Sequence, residues 1–144
     1  VPAPGVPEAL DQEVVTAVAA AAEEYLRLFP GMEFSRALAG LWEFIGLLNR
    51  YIVAAAPWEL AKNPEAAGRL DTVLYHLLES LRWIAALLRP VMPASALKMS
   101  EHLGLGLSLW DHPLPQALNW GRLVPGTRLV KGPALFPRIE IEET

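Results

Sequence analysis

The chain has 144 residues, 53% hydrophobic and 19% charged, richer in apolar side chains than the roughly 45–50% usual for a globular domain; this excludes wholesale disorder, suffices for one domain with its own core, and hints that some apolar surface meets another domain. The absence of cysteine removes disulfides, thiolate zinc sites and cysteine nucleophiles together, and fits a reducing, cytoplasmic setting. With 12 Lys and Arg against 16 Asp and Glu the formal net charge is -4, which argues against DNA binding and any sequence-independent hold on nucleic acid while leaving room for local, shape-directed RNA contacts.

Residues 1–7, Val1-Pro2-Ala3-Pro4-Gly5-Val6-Pro7, read as a turn-like linker that lacks the basic and apolar segments of a signal peptide, and as an opening cut from something longer. Pro7 stands where a first helical turn favours proline, and residues 8–29 follow without Gly or Pro, predicting one long helix that Pro30-Gly31 ends. A second helix is expected over 34–56, with Phe34, Leu38, Leu41, Trp42, Ile45, Leu48 and Ile52 at helical spacing. Asn49 falls in the same register, so its amide is expected inside, hydrogen-bonded and tying down the next corner. Pro57 stops that helix, and residues 57–62 form a corner that delivers a large indole, Trp58, either as a plug of the bundle or as an exposed stacking platform.

Asn63 is a good N-cap for a third helix, with Pro64 at its first position and Glu65 adding charge at the favourable end. That helix is expected to reach Arg89 and to bury a broad face of Leu70, Val73, Leu74, Leu77, Leu78, Leu81, Ile84, Ala85 and Leu88 before Pro90 and Pro93 break it. Residues 94–103 make a short fourth helix closed by Gly104, and from Leu105 onward Gly and Pro recur too often for long helices. The fold class expected is all-α: an antiparallel helical bundle over residues 8–122, with an irregular C-terminal tail over 123–144 that packs through Leu129, Leu135, Phe136 and Ile139 on the bundle or on another domain. Glu23, Glu24, Glu43, Arg50, Glu79 and Arg82 interrupt every apolar stretch, so no membrane partner is expected.

The chemistry-bearing residue types form no catalytic pattern. His76, His102 and His112 match no metal-ligand spacing and read as surface or capping residues; the serines lack a Gly-x-Ser-x-Gly elbow, and no Gly-rich turn resembles a phosphate cradle. Glu23, Glu24, Glu43 and Glu79 occupy positions that a bundle would turn to water. No catalytic residue and no metal ligand is therefore assigned.

Several runs are specific in combination: Phe34-Ser35-x-Ala37-Leu38, Trp42-Glu43-Phe44-Ile45, Asn49-Arg50-Tyr51-Ile52, Ala56-Pro57-Trp58-Glu59-Leu60-Ala61-Lys62, and later Ala134-Leu135-Phe136-Pro137-Arg138-Ile139-Glu140. In this order the chain resembles the helical anticodon-binding domain of methionyl-tRNA synthetases, class I aminoacyl-tRNA synthetases, over roughly residues 30 to 140. The resemblance implies recognition of the CAU anticodon of methionine tRNAs, while a separate nucleotide-binding-fold domain activates methionine with ATP. ATP and methionine are thus expected only in that catalytic domain, with no cofactor here, and the implied partners are the anticodon loop of methionine tRNA and the catalytic domain itself. Trp58 falls on the tryptophan that the family sets against the first anticodon base; Arg50 or Lys62 could meet phosphate, Pro57 sets the corner and Asn49 braces it.

The family's other anticodon residues, an Asn and an Arg one helical turn apart, belong to an earlier helix absent from these 144 residues, and residues 1–5 look like the turn that follows it. Neither the His-x-Gly-His nor the Lys-Met-Ser-Lys-Ser signature of the catalytic domain appears, and Lys98-Met99-Ser100 sits in the fourth helix followed by Glu101. The chain is therefore not expected to be an enzyme on its own. The alternative from another class is a structural bundle that docks a protein domain through its excess apolar surface.

Overall fold

A computed structural model of the chain describes residues 1–138. Helix α1 spans Ala9–Leu28 and is buried along Asp11, Val14, Val18, Ala22, Tyr25 and Leu28, a stripe with steps of three and four. A 3-10 turn, Phe29–Gly31, reverses the chain, and Tyr25 stacks on Phe29 with ring centroids 5.0 Å apart. Helix α2, Phe34–Ala55, then returns along α1, and the two form the most extensive helix pair of the bundle.

The buried face of α2 is Ala37, Leu41, Phe44, Leu48 and Tyr51, which corrects the register expected from periodicity. This helix carries two apolar stripes side by side. The one with small Ala37 and slender Leu41 closes on the alanine-rich face of α1, whereas Phe34 and Trp42 stay 44% and 53% exposed. Asn49 lies with the second stripe and is exposed, so its amide needs no buried partner and ties down nothing. By hydropathy, the segment Phe34–Leu60 is long and apolar enough to cross a membrane, contrary to the expectation from its charges; here one face packs on α1, and Glu43 and Arg50 lie exposed outside it.

After a corner that holds the single-turn helix α3, Pro57–Leu60, the side chain of Asn63 accepts the Glu65 N–H at 3.0 Å and starts a 3-10 turn, Pro64–Ala66, that leads into α4, Ala67–Leu88. Helix α4 is the centre of the fold, with Arg82 through Leu88 buried on every side. The part of it before Arg82 departs from expectation. Leu81 is 40% exposed and Leu70, Leu74, Leu77 and Leu78 are half-buried, while Thr72, His76 and Glu79 point inward. The returning chain covers this side of α4, laying Trp120 beside His76 and bringing backbone donors to Glu79, while Thr72 accepts the Gly5 N–H and donates to the Gly68 carbonyl, both at 2.9 Å. His76 thus corrects the surface reading: it is buried, with Nδ1 2.8 Å from the Thr72 carbonyl and its ring 5.5 Å from that of Trp120.

Helix α5, Pro93–His102, and a short α6, Leu114–Ala117, flank a 3-10 turn, Gly106–Trp110. Ser100 is fully buried and donates to the Gly106 carbonyl at 2.7 Å, and Arg89 donates to the Leu109 carbonyl at 2.8 Å with its guanidinium over Trp110. Beyond α6 the described chain has no helix. Glu79, expected at the surface, is fully buried and anchors this tail. Its carboxylate accepts Arg82 Nε and Nη2 at 2.9 and 2.7 Å and the backbone N–H groups of Gly121, Arg122 and Leu123 at 2.9, 3.2 and 3.1 Å.

Leu123 is fully buried, but Leu129 and Phe136 are 42% and 66% exposed and Leu135 is half-buried; Ile139 lies outside the described residues. Among the described residues the tail is held chiefly by Leu123 and by backbone bonds rather than by Leu129 and Phe136. The Val130 N–H donates to the His102 carbonyl at 2.9 Å, and the Gly126 N–H to the Val1 carbonyl at 2.7 Å, while the Val1 amino group donates to the Thr127 carbonyl at 2.7 Å. Gly104, at φ +77°, has no room for a Cβ because the Arg128 carbonyl crosses directly over it. Among the described residues there is no strand: the fold is an all-α bundle with an irregular C-terminal tail.

Candidate functional site

The corner between α2 and α4 is built by two adjacent residues. Ala56 adopts the left-handed conformation (φ 43°, ψ 60°), and its N–H donates to the Ile52 carbonyl at 3.0 Å, closing α2. Pro57, which cannot continue α2, opens a single-turn helix α3, Pro57–Leu60, whose Glu59 and Leu60 N–H groups donate back to the Ala56 carbonyl at 2.9 and 3.3 Å. Pro57 is half-buried, Leu60 packs against the core from below, and Trp58 stands at the second position with 50% of its surface exposed. The indole is not a core plug, since half of the residue's surface is open to solvent.

The remaining sequence-predicted residues divide around this corner. Lys62 ends the turn, exposed, with its ammonium 2.8 Å from Glu59 in a surface pair that a competing phosphate can replace at little cost. Asn49 and Arg50 lie upstream on α2, roughly 8 to 9 Å along the axis from its end at about 1.5 Å per residue. They diverge around the helix. Asn49 shares the outer stripe of Trp42, Ile45 and Ile52 by helical spacing, whereas Arg50, also exposed, runs beside Gly46 and borders the groove that Leu47 and Ala54 form with Leu10 and Glu13 of α1. Pro57, Trp58 and Lys62 therefore share the corner, and Asn49 and Arg50 lie upstream of it on α2.

Beneath the corner lies a cluster that sequence reasoning missed. Asp11 of α1 is fully buried; Tyr51 Oη donates to it at 2.5 Å, Arg69 Nη1 and Nη2 donate at 2.5 and 3.1 Å, and the Glu8 N–H donates at 2.7 Å. Burial pushes the Asp11 carboxyl up, but the hydrogen bonds from Arg69, Tyr51 and Glu8 outweigh it and hold the group below its ordinary value. Burial and the hydrogen bond to Asp11 push the Tyr51 phenol well above its usual range. The available signal was the position of Asp11 three residues before Val14 and seven before Val18, on the stripe that the first helix buries. Among the described residues no three His, Asp or Glu side chains are grouped to hold a metal ion.

A half-exposed tryptophan on a proline corner is thus set on an all-α helical bundle with an irregular tail. The family model described as the anticodon binding domain of methionyl tRNA ligase matches residues 1–144, and the chain belongs to that family. It is 38% identical over 144 residues to a methionine–tRNA ligase of Caldanaerobacter subterraneus subsp. tengcongensis, covering 99% of this chain and 22% of the relative. A methionine–tRNA ligase of Bacillus subtilis is 43% identical over 122 residues, covering 83% of this chain and 18% of that protein. The crystal structure of the apo form of Mycobacterium tuberculosis methionyl-tRNA synthetase matches with a TM-score of 0.88 at 31% identity, covering 98% of this chain and 28% of that one. The chain thus spans about a fifth of the length of the curated relatives it matches.

Proposed function

We propose that this domain reads the CAU anticodon loop of methionine tRNA on behalf of a methionine–tRNA ligase in whose other parts methionine and ATP are bound and joined. The observation that carries the reading is Trp58: a half-exposed indole held by Ala56 and Pro57 between two long helices, within a chain of this family. Anticodon loop bases can be unstacked, and an aromatic face accepts any of them, each stacked base contributing about 1 to 3 kcal/mol. Arg50 and Lys62 meet backbone phosphates, and Asn49, being exposed, offers its amide to a base edge. Pro57 fixes the approach of the indole rather than touching RNA. With a net charge of -4, the surface depends on these few placed groups and not on a general basic field. The catalytic domain is the second partner, no step of adenylation is assigned to this chain, and the setting is cytoplasmic.

The test is binding of a CAU anticodon stem-loop RNA by the wild-type chain and by Trp58→Ala. The substitution is expected to weaken binding by about 1 to 3 kcal/mol while lowering stability by only about 1 kcal/mol, since half of the side chain is already in water. An equal affinity for both proteins refutes the assignment of Trp58. The exposed stripe of Phe34, Trp42 and Val53 favours a second reading, a bundle that docks another protein domain. Raising salt separates the two, because RNA binding weakens with released counterions and apolar docking does not.

A further inference from the structure

We infer that the buried Asp11–Tyr51–Arg69 cluster is a positioning device for Trp58, in which a single carboxylate clamps both ends of the corner that presents the indole. Tyr51 lies in the last turns of α2, seven residues before Trp58, and Arg69 is the third residue of α4, eleven residues after it. The segment between them, through Ala56, α3 and the Pro64–Ala66 turn, makes no side-chain hydrogen bond to α1 among the described residues; its polar side-chain contacts are the local Lys62–Glu59 and Asn63–Glu65 bonds. Its geometry relative to the bundle is therefore set by its two ends together with the packing of Leu60 on the core and of α3 on α4. Both ends meet at Asp11, Tyr51 through one short bond and Arg69 through a two-pronged one.

The chemistry suits a fixed brace. A charged carboxylate that accepts four donors in a buried place has no second arrangement of comparable energy, so the separation of the α2 end from the α4 start takes a single value. A stacking platform needs this, since a base is gripped only when the ring plane is already in place and little ordering is left to do on binding. Arg69 does not serve as an RNA-facing cation in this scheme: its guanidinium is spent on Asp11 and, at 3.4 Å, on Glu8.

The proposal rests on the reading of Trp58 as an RNA contact, and the experiment separates the two. Tyr51→Phe removes one hydroxyl from the brace, and Tyr75→Phe removes a comparable buried hydroxyl that donates to the Leu123 carbonyl at 3.0 Å, away from the corner. In Tyr51→Phe the NMR order parameter of the Trp58 backbone N–H is expected to fall from the rigid range of about 0.85 toward 0.6, with anticodon stem-loop affinity down about 5-fold. Tyr75→Phe should leave both unchanged. In a Trp58→Ala background the effect of Tyr51→Phe on affinity should vanish, as it must if Tyr51 acts through the indole. An unchanged order parameter in Tyr51→Phe, or an equal affinity loss in Tyr75→Phe, overturns the positioning role. A loosened corner combined with an affinity indifferent to Trp58→Ala supports the brace and refutes the RNA reading of Trp58 instead.

Discussion

Replacing Glu79 by Gln tests whether one buried carboxylate holds the tail to the bundle. Oε1 accepts Arg82 Nη2 and the N–H groups of Gly121 and Arg122, and Oε2 accepts Arg82 Nε and the Leu123 N–H. A glutamine keeps one oxygen and turns the other position into a donor. Even in its better orientation, with the amide nitrogen at the Oε2 position, it faces two donors that lose their acceptor. Arg82, also buried, keeps the Oε1 acceptor and its carbonyl partners, Ala117 and Asn119 at 2.6 and 2.8 Å, but has no counter-charge. Breaking a buried pair from one side costs about 3 to 5 kcal/mol, and at about 2 to 4 °C per kcal/mol for a domain near this size the melting temperature should fall by about 6 to 20 °C. Urea and thermal unfolding followed by circular dichroism measure it, with Glu101→Gln, an exposed change expected within about 0.5 kcal/mol, as reference. A loss below about 1 kcal/mol would mean that water satisfies these donors and that the tail is held elsewhere.

Two further outcomes follow from the same geometry. Because the Asp11 carboxyl is held below its ordinary value of 3.8, its contribution to stability is full above that value and is lost as pH falls through the lower, folded-state value; Asp11→Asn should therefore flatten the decline in urea stability below pH 4 while lowering it near neutrality. Leu123→Ala should cost about 2 to 5 kcal/mol, as a fully buried leucine does, whereas Leu129→Ala, 42% exposed, should cost under about 1 kcal/mol; equal losses in chemical denaturation would refute the view that the tail is anchored at its first residues.

What the sequence determined by itself was the punctuation. Pro30-Gly31, Pro57, Asn63-Pro64 and Pro90 act through one or two residues, by removing a backbone donor, fixing φ or capping a helix, and the observed ends of α1, α2, α4 and α5 lie within a few residues of the expected ones. The Trp58 corner was legible for the same reason. The choice of buried face was not. Helix α2 carries two apolar stripes, and only the alanine face of α1 decides that Ala37, Leu41 and Phe44 go inside while Trp42 and Asn49 stay out.

The buried charges were equally beyond local reading. Glu79 is surrounded by leucines in sequence and satisfied by backbone 42 to 44 residues away, and Asp11 by Tyr51 and Arg69, 40 and 58 residues away. An isolated carboxylate belongs in water, because losing its hydration is expensive. Only when tertiary contacts bring several donors to it at once does the interior become the better place, and that condition is not written in any window of the chain.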